Sequence, residues 1–489
     1  MRNPHTPPAV LLWGLLGSFI AGLLCTSVAC AKLPDAVSHA LQQENLSADS
    51  VSVFVQRVDA SQPLISHHAE RALSPASVMK LLMTYAGLEL LGPAYRWRTE
   101  IYTDGTLSNG GVLNGNLIIK GYGDPDLMAE DFWRMLGNLR QAGVREIRGD
   151  LVLDSSYFAE SHKDAGAFDG EPYRAYNALP NALLLNLKST SFRLQPTPAS
   201  EKATATAQSV SIWAEPDLPE IKIINHLRLA QTDCGDWKSR LSYDVQRQGN
   251  AVTVTFNGSY AVDCAEKYLE LSLFDDAGYT YNLFRKLWGQ LGGSFEGGLQ
   301  AAPVAGSAVM LMQQDGQTLS DVVRRINKYS NNLMARQLLL TIAAERVALP
   351  GTEQNGAKAI SSWLESKGLN FPELVIENGA GLSRVERISA QHLGALLLAA
   401  YASPVMPELM SSLPILAVDG TAMRRLKDSP MQGRAHLKTG SLDGVRSVAG
   451  YVLDQKSRRW VVVFMINNAR AANSRAAQDA LLDWVYQQP

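Results

Sequence analysis

Ser77 is followed three residues later by a lysine in Ser77-Val78-Met79-Lys80. In a helix, that spacing puts both side chains on one face, one turn apart. A lysine held there can take the serine proton if its pKa is lowered, so the pair has the makings of a nucleophile and its base. Two more short motifs follow in order, Ser330-Asn331-Asn332 and Lys438-Thr439-Gly440-Ser441. Ser330 and Asn332 alternate in a way that lets both point into one cleft. Lys438-Thr439-Gly440 ends a strand-like run and offers a cation, a hydroxyl and bare backbone. Each motif alone has an ordinary reading, a solvated helix face or a surface turn. In this order they supply the parts of an acyl-transfer site.

Such a site needs elements that hold it. Leu73-Ser74-Pro75-Ala76 is a turn leading into Ser77, and Val78–Leu91 is apolar at helical spacing up to Gly92-Pro93. Ser77 therefore opens a buried helix, whose free N–H groups and dipole favour an oxyanion developing nearby. Ser50–Asp59 alternates as a strand after a helical LPDAVSHALQQ. Thr99–Thr103, Leu117–Lys120 and Leu151–Leu153 read as strands, and alternating segments run from Phe192 to Leu273. Tyr279–Leu291 returns to helix. Helices over Leu319–Arg325 and Leu333–Arg346 flank the second motif, and Ala357–Lys367 and Ala390–Tyr401 follow. Ala435–Lys438, Ser447–Leu453 and Trp460–Asn467 form a meander, closed by a helix over Ser474–Gln487.

The chain has 489 residues, 46% of them apolar, which is enough for two or three domains. Lys80 and Ser330 stand too far apart for one catalytic domain to need all the chain between them. An insertion over roughly 96–305, with its ends close together, accounts for the separation. The catalytic domain is then expected from 32–95 with 306–489, as one antiparallel sheet flanked by helices, in an α+β fold. The formal net charge is −2 and no Lys/Arg run appears, which argues against nucleic acid as a partner.

Arg2 is the one Lys, Arg, Asp or Glu before Lys32. Ala9–Leu24 is almost wholly apolar and Ala29-Cys30-Ala31 has a small-x-small pattern. Residues 1–31 read as a secretory signal and the location as periplasmic. An uncleaved anchor, or a lipoprotein signal at Cys30, is the alternative. No other stretch is long and apolar enough to span a bilayer, so no integral membrane segment is expected in the mature chain. The cysteines outside the signal, Cys234 and Cys264, are thirty positions apart; in an exported protein one disulfide is favoured, with two buried thiols as the alternative.

The trio of motifs is that of penicillin-binding proteins and class A β-lactamases, with Asn331 where Asp usually stands. Further stretches narrow the resemblance: Gly121–Pro125, Leu153–Ala159, Tyr176–Pro180, Glu377–Arg384 and Leu442–Val445. The chain resembles the class C low-molecular-mass penicillin-binding proteins, the D-alanyl-D-alanine carboxypeptidase/endopeptidase family (peptidase family S13), over nearly all its mature length. The resemblance implies a transpeptidase-type penicillin-binding/β-lactamase-like domain carrying an insertion of two nested domains. It implies an enzyme that removes terminal D-Ala from peptidoglycan stem peptides, cleaves D-Ala cross-links, or does both, and that β-lactam antibiotics inhibit covalently. It implies Ser77 as nucleophile, Lys80 as proton acceptor, Ser330 as relay to the leaving amine and Asn332 as partner of the substrate amide. Lys438 and Thr439 then hold the peptide carboxylate, and the N–H groups of Ser77 and Ser441 form the oxyanion hole beside Gly440. Asp154 and Arg384 would contact the stem-peptide side chain. A turn cap and a surface ion pair are their ordinary readings.

No metal or other cofactor is required: the eight histidines form no ligand-spaced cluster and His-Glu-x-x-His is absent. The chain also lacks a Gly-x-Ser-x-Gly elbow. Two rivals remain at this point, a β-lactamase-like hydrolase and a catalytically silent wall-binding scaffold.

Overall fold

The computed structural model describes residues 32–197 and 209–489; the expected signal, 1–31, lies outside the described residues. The sheet nearest the motifs joins the two ends of the described chain. Its five strands run Ile65–His67, Val51–Arg57, Arg459–Asn467, Val445–Leu453, Ala435–Leu442, all antiparallel. Residues of opposite parity go to opposite cores. Val51, Val53, Val55, Val462 and Phe464 pack with Val37, Leu41, Leu481 and Leu482 of the Asp35–Gln43 and Arg475–Tyr486 helices. Phe54, Val461, Val463 and Met465 face the second core, where the Lys80–Leu91 and Ala390–Tyr401 helices lie. A strand covered on both faces has no need of polar alternation, which is why 460–466 reads Trp-Val-Val-Val-Phe-Met-Ile.

The Lys80–Leu91 helix is the centre of that second core, with Lys80 through Leu88 all buried. It is apolar on every side, as a helix enclosed by others must be. Leu319–Tyr329 and Asn332–Arg346 pack on it, and Glu353–Ser366 lies outside them.

Between Leu91 and Leu319 the chain builds a separate set of sheets. One mixed sheet runs Leu299–Ala301, Leu151–Asp154, Leu117–Gly121, Arg96–Thr103, Val309–Thr318. The outgoing strand Arg96–Thr103 and the returning strand Val309–Thr318 are antiparallel neighbours, so the chain leaves and re-enters side by side. The expected boundary at 305 falls ahead of that returning strand; hydrogen bonding of the inserted sheet continues to Thr318. A helix over Ala129–Gln141, not expected from the sequence, buries Phe132, Met135, Leu136 and Leu139 against this region. Further out, Ser209–Glu215, Thr190–Thr197 and Lys267–Leu271 form one three-stranded sheet, and Ile221–Ala230, Ala251–Ala261 and Leu241–Gln248 another. Cys234 and Cys264 are joined in a disulfide beside the latter, their Cα atoms 4.6 Å apart.

Candidate active site

Ser77 sits in a 3-10 turn, Ala76–Met79, that runs directly into the Lys80–Leu91 helix. Ala76 adopts a left-handed backbone (φ +48°) and is fully buried, so the turn needs outside support. The support comes from the sheet. Ser447 Oγ donates to the Pro75 carbonyl (2.6 Å), and Asn467 both accepts from Ser74 N (2.8 Å) and donates to Ser74 O (3.0 Å). Gly440 lies so close that a Cβ there would meet Ser447 Oγ at 2.1 Å and Pro75 O at 2.7 Å. The strand of the third motif is thereby laid against the turn of the first.

Lys80 is wholly buried, and its Nζ touches three oxygens: Ser77 Oγ (3.0 Å), Asn332 Oδ1 (2.7 Å) and the Ala380 carbonyl. The amide and carbonyl oxygens can only accept. A neutral amine gives them its two hydrogens and turns its lone pair to the Ser77 hydroxyl. Burial lowers the Lys80 pKa well below the usual lysine range, helped by the nearby Lys438 and Arg336 charges and opposed by Glu386.

Ser330 ends the Leu319–Tyr329 helix in a left-handed conformation (φ +58°). Asn331 caps the next helix, its side chain accepting from Met334 N (3.0 Å). That is a structural task, so Asn in place of Asp at the middle of the motif leaves the neighbouring groups undisturbed. Lys438, also fully buried, donates to Ser330 Oγ (2.8 Å) and the Thr439 carbonyl (2.9 Å). Burial pushes its pKa down to about 7.

The Ala435–Leu442 strand is the sheet edge. Leu437 N turns away from the sheet to the Pro414 carbonyl (2.9 Å). With a period of two, the N–H groups of Thr439 and Ser441 point the same way, toward the cleft. A partly covered edge of this kind can take an extended peptide as an added strand. Thr439 Oγ1 also donates to Thr421 Oγ1 (2.8 Å), a neighbour supplied by the Gly420–Ala422 turn that no local pattern announces.

The two outlying residues part company. Arg384 is exposed, stacked over the Phe168 ring (4.6 Å), and donates to the Asp443 carbonyl (3.4 Å) beside the third motif. It lines a cavity of about 320 Å³ with Asp164, Phe168, Arg336 and Glu377. Asp154 is not brought there. Its side chain is enclosed, accepts from Ser156 N (2.9 Å) and Val304 N (2.9 Å), and pairs with Lys120 (3.5 Å). The substrate contact expected of Asp154 is therefore corrected: the carboxylate is committed to capping the end of its own strand.

Comparison with known proteins gives one consistent neighbourhood. The family model described as the D-Ala-D-Ala carboxypeptidase 3 (S13) family matches residues 33–488. A D-alanyl-D-alanine carboxypeptidase of Actinomadura sp. is 28% identical over 483 residues, covering 96% of this chain and 87% of that protein. D-alanyl-D-alanine carboxypeptidase DacB of Haemophilus influenzae is 25% identical over 460 residues, 92% of each. The crystal structure of penicillin binding protein 4 from Haemophilus influenzae superposes with a TM-score of 0.76 at 23% identity, over 92% of this chain and 99% of that one. This likeness establishes the α+β penicillin-binding fold.

Proposed function

The chain belongs to the D-Ala-D-Ala carboxypeptidase 3 (S13) family, and from that premise we propose that Ser77 is the acylated nucleophile of a peptidoglycan D-Ala-D-Ala hydrolase. The observation that carries the proposal is the linkage of the three motifs, Ser77–Lys80–Asn332 and Ser330–Lys438, through side-chain hydrogen bonds. Lys80 takes the Ser77 proton as Oγ attacks the penultimate D-Ala carbonyl. The N–H groups of Ser77 and Ser441 receive the oxyanion, where losing one donor typically costs about 10²–10³ in rate. Ser330, held by the hydrogen bond from Lys438, relays to the departing amine the proton that Lys80 took from Ser77, so that Lys80 is neutral again and Lys438 keeps its charge. Lys438 and Thr439 hold the terminal carboxylate, Asn332 the substrate amide. Water then cleaves the acyl-enzyme, releasing the shortened peptide and free Ser77.

A stem-peptide side chain reaching past the nucleophile would meet Arg384 and the Phe168 ring, so Arg384 is the residue proposed to select it. The catalytic body is proposed as 32–95 with 319–489 and the insertion as 96–318, drawn on the pairing of its two outer strands. β-Lactams are proposed as covalent inhibitors; a novel β-lactam is seen in the Haemophilus influenzae protein. No helix among the described residues is long and apolar enough to cross a membrane. Export to the periplasm on residues 1–31 is proposed from the sequence, and N-terminal analysis of the mature protein tests it.

The central test is intact mass after brief exposure to benzylpenicillin, with Ser77→Ala beside the wild type. One adduct in the wild type and none in the variant is expected. An adduct that persists in the variant puts the nucleophile elsewhere. No adduct with the drug hydrolysed makes the protein a β-lactamase.

A further inference from the structure

Glu386 is a carboxylate with 0% exposure in the turn-rich segment after the Glu353–Ser366 helix. Its Oε1 accepts from the backbone N–H groups of Glu377 (3.1 Å), Asn378 (2.9 Å) and Gly379 (2.7 Å), and its Oε2 from that of Gly381 (2.9 Å). The remaining N–H of the turn, from Ala380, goes to Asn378 Oδ1 (2.9 Å). Every backbone N–H of 377–381 is thus committed to a side chain, and the Ala380 carbonyl is left aimed at Lys80 Nζ. The turn also touches the nucleophile. A Cβ on Gly381 (φ +78°) would meet Ala76 O at 1.9 Å and Ser77 N at 2.7 Å; one on Gly379 would meet Met83 Sδ at 2.5 Å. All four hydrogen-bond partners of the Glu386 carboxylate are backbone N–H donors, which suits the ionised form. Burial pushes the Glu386 pKa above the usual carboxylate range, and the backbone N–H groups and the Lys80 charge oppose that rise.

We propose that Glu386 is a positioning residue for acylation: its carboxylate clamps the 377–381 turn, so that the Ala380 carbonyl fixes the Lys80 amine against Ser77, and supplies a buried negative charge facing that amine. The inference rests on the reading of Lys80 as proton acceptor. The charged groups facing Lys80 are Lys438 from the edge strand, Arg336 from the Asn332–Arg346 helix and Glu386 from the turn; the first two disfavour its ammonium form and Glu386 favours it. Hydrogen bonds to a carboxylate are the strong kind, and no neutral side chain of the same shape accepts at both ends.

The experiment is the second-order rate of acylation by benzylpenicillin between pH 5 and 10 for wild type, Glu386→Gln and Glu386→Asp, with melting temperatures alongside. In Glu386→Gln the amide end donates where it should accept, and the charge is gone. A rate loss on the order of 10²-fold is expected, the size of effect a misplacement near 1 Å produces. The rising limb of the pH profile should also move to lower pH, because the amine loses its counter-charge and is neutral sooner. Glu386→Asp keeps the charge and loses reach: a slower rate with the limb unmoved. A Gln variant with a wild-type rate, or with a slower rate and an unmoved limb, overturns the proposal. If Gln does not fold, Asp decides: a folded Asp variant with wild-type rate overturns it. Lys80→Arg, run in parallel, separates the two readings. Acylation that survives in it undoes the role of Lys80 itself, whatever Glu386 does.

Discussion

Lys80 and Lys438 are two buried amines in one cleft, and the roles proposed for them require opposite charge states. Lys80 must be neutral to accept a proton, so acylation should rise with pH as it loses its own, below the usual lysine range. Lys438 must be charged to hold a carboxylate, and with its pKa pushed to about 7 that hold should weaken above neutrality. The expected result for D-Ala release is a kcat that climbs with pH while KM rises beyond about pH 7. A KM flat up to pH 9 would remove the carboxylate from Lys438. Lys80→Arg keeps a cation of similar length that cannot deprotonate. It should lose about 10²–10⁴ of the acylation rate across that range, measured with fluorescent penicillin. Ser77, Lys80 and Lys438, the residues proposed as nucleophile, base and anion holder, stand out in the sequence because their signals are local, a residue type at a fixed short spacing. The role of Ala380 does not, because a backbone carbonyl leaves no residue-type mark. Asp154 and Arg384 show the limit from the other side: both sit in quotable motifs, and only tertiary structure separates the capped carboxylate from the exposed guanidinium.

At the scale of elements, the helix that ends at Ser330 is fastened to the insertion. Arg325 on that helix pairs with Asp126 (2.6 Å), and Asp124 accepts from Asp126 N (2.8 Å) in the same glycine-bounded turn. Asp124 is buried, and burial pushes its pKa up to about 7, with the neighbouring Asp126 and Asp131 charges adding to the rise. A carboxyl whose folded pKa is raised binds more protons folded than unfolded between pH 4 and 7. Its contribution to stability therefore falls as pH climbs through that window, by about 2–4 kcal/mol for a shift of this size. Asp124→Asn, neutral throughout, should melt higher than wild type at pH 8 and near it at pH 4.5. A variant that melts lower at pH 8 would mean the ionised Asp124 has a partner worth more than its burial costs. Glycine and proline spacing over 121–125 marks a tight turn there, and reaches no further. The Ala129–Gln141 helix just beyond was readable as well, since Phe132, Met135, Leu136 and Leu139 fall at helical spacing behind acidic Glu130 and Asp131. It was lost in a stretch where strands dominated on both sides.

The whole molecule divides its stability from its chemistry. The residues that touch Ser77, Lys80 and Lys438 come from the sheet joining the described chain's ends, from the helices around Lys80–Leu91 and from the 377–381 turn. The disulfide lies in the outermost part of the insertion, where Ile221–Ala230 and Leu241–Gln248 flank Ala251–Ala261. No sequence pattern fixed the order of these strands, and the first of them runs parallel to its neighbour, a pairing that local alternation cannot reveal. Cross-linking residues 30 apart removes freedom from the unfolded chain worth about 3–4 kcal/mol. That gain belongs to the segment the bridge closes. Cys234→Ser with Cys264→Ser should therefore expose the outer sheets to protease well below the wild-type melting temperature, while benzylpenicillin still acylates Ser77 at close to the wild-type rate. If acylation falls together with protease resistance, the insertion and the catalytic body unfold as one unit. The outer sheets would then be part of what holds the Ser330 loop in place, and the line drawn at Thr318 would mark a change of topology without a change of cooperativity.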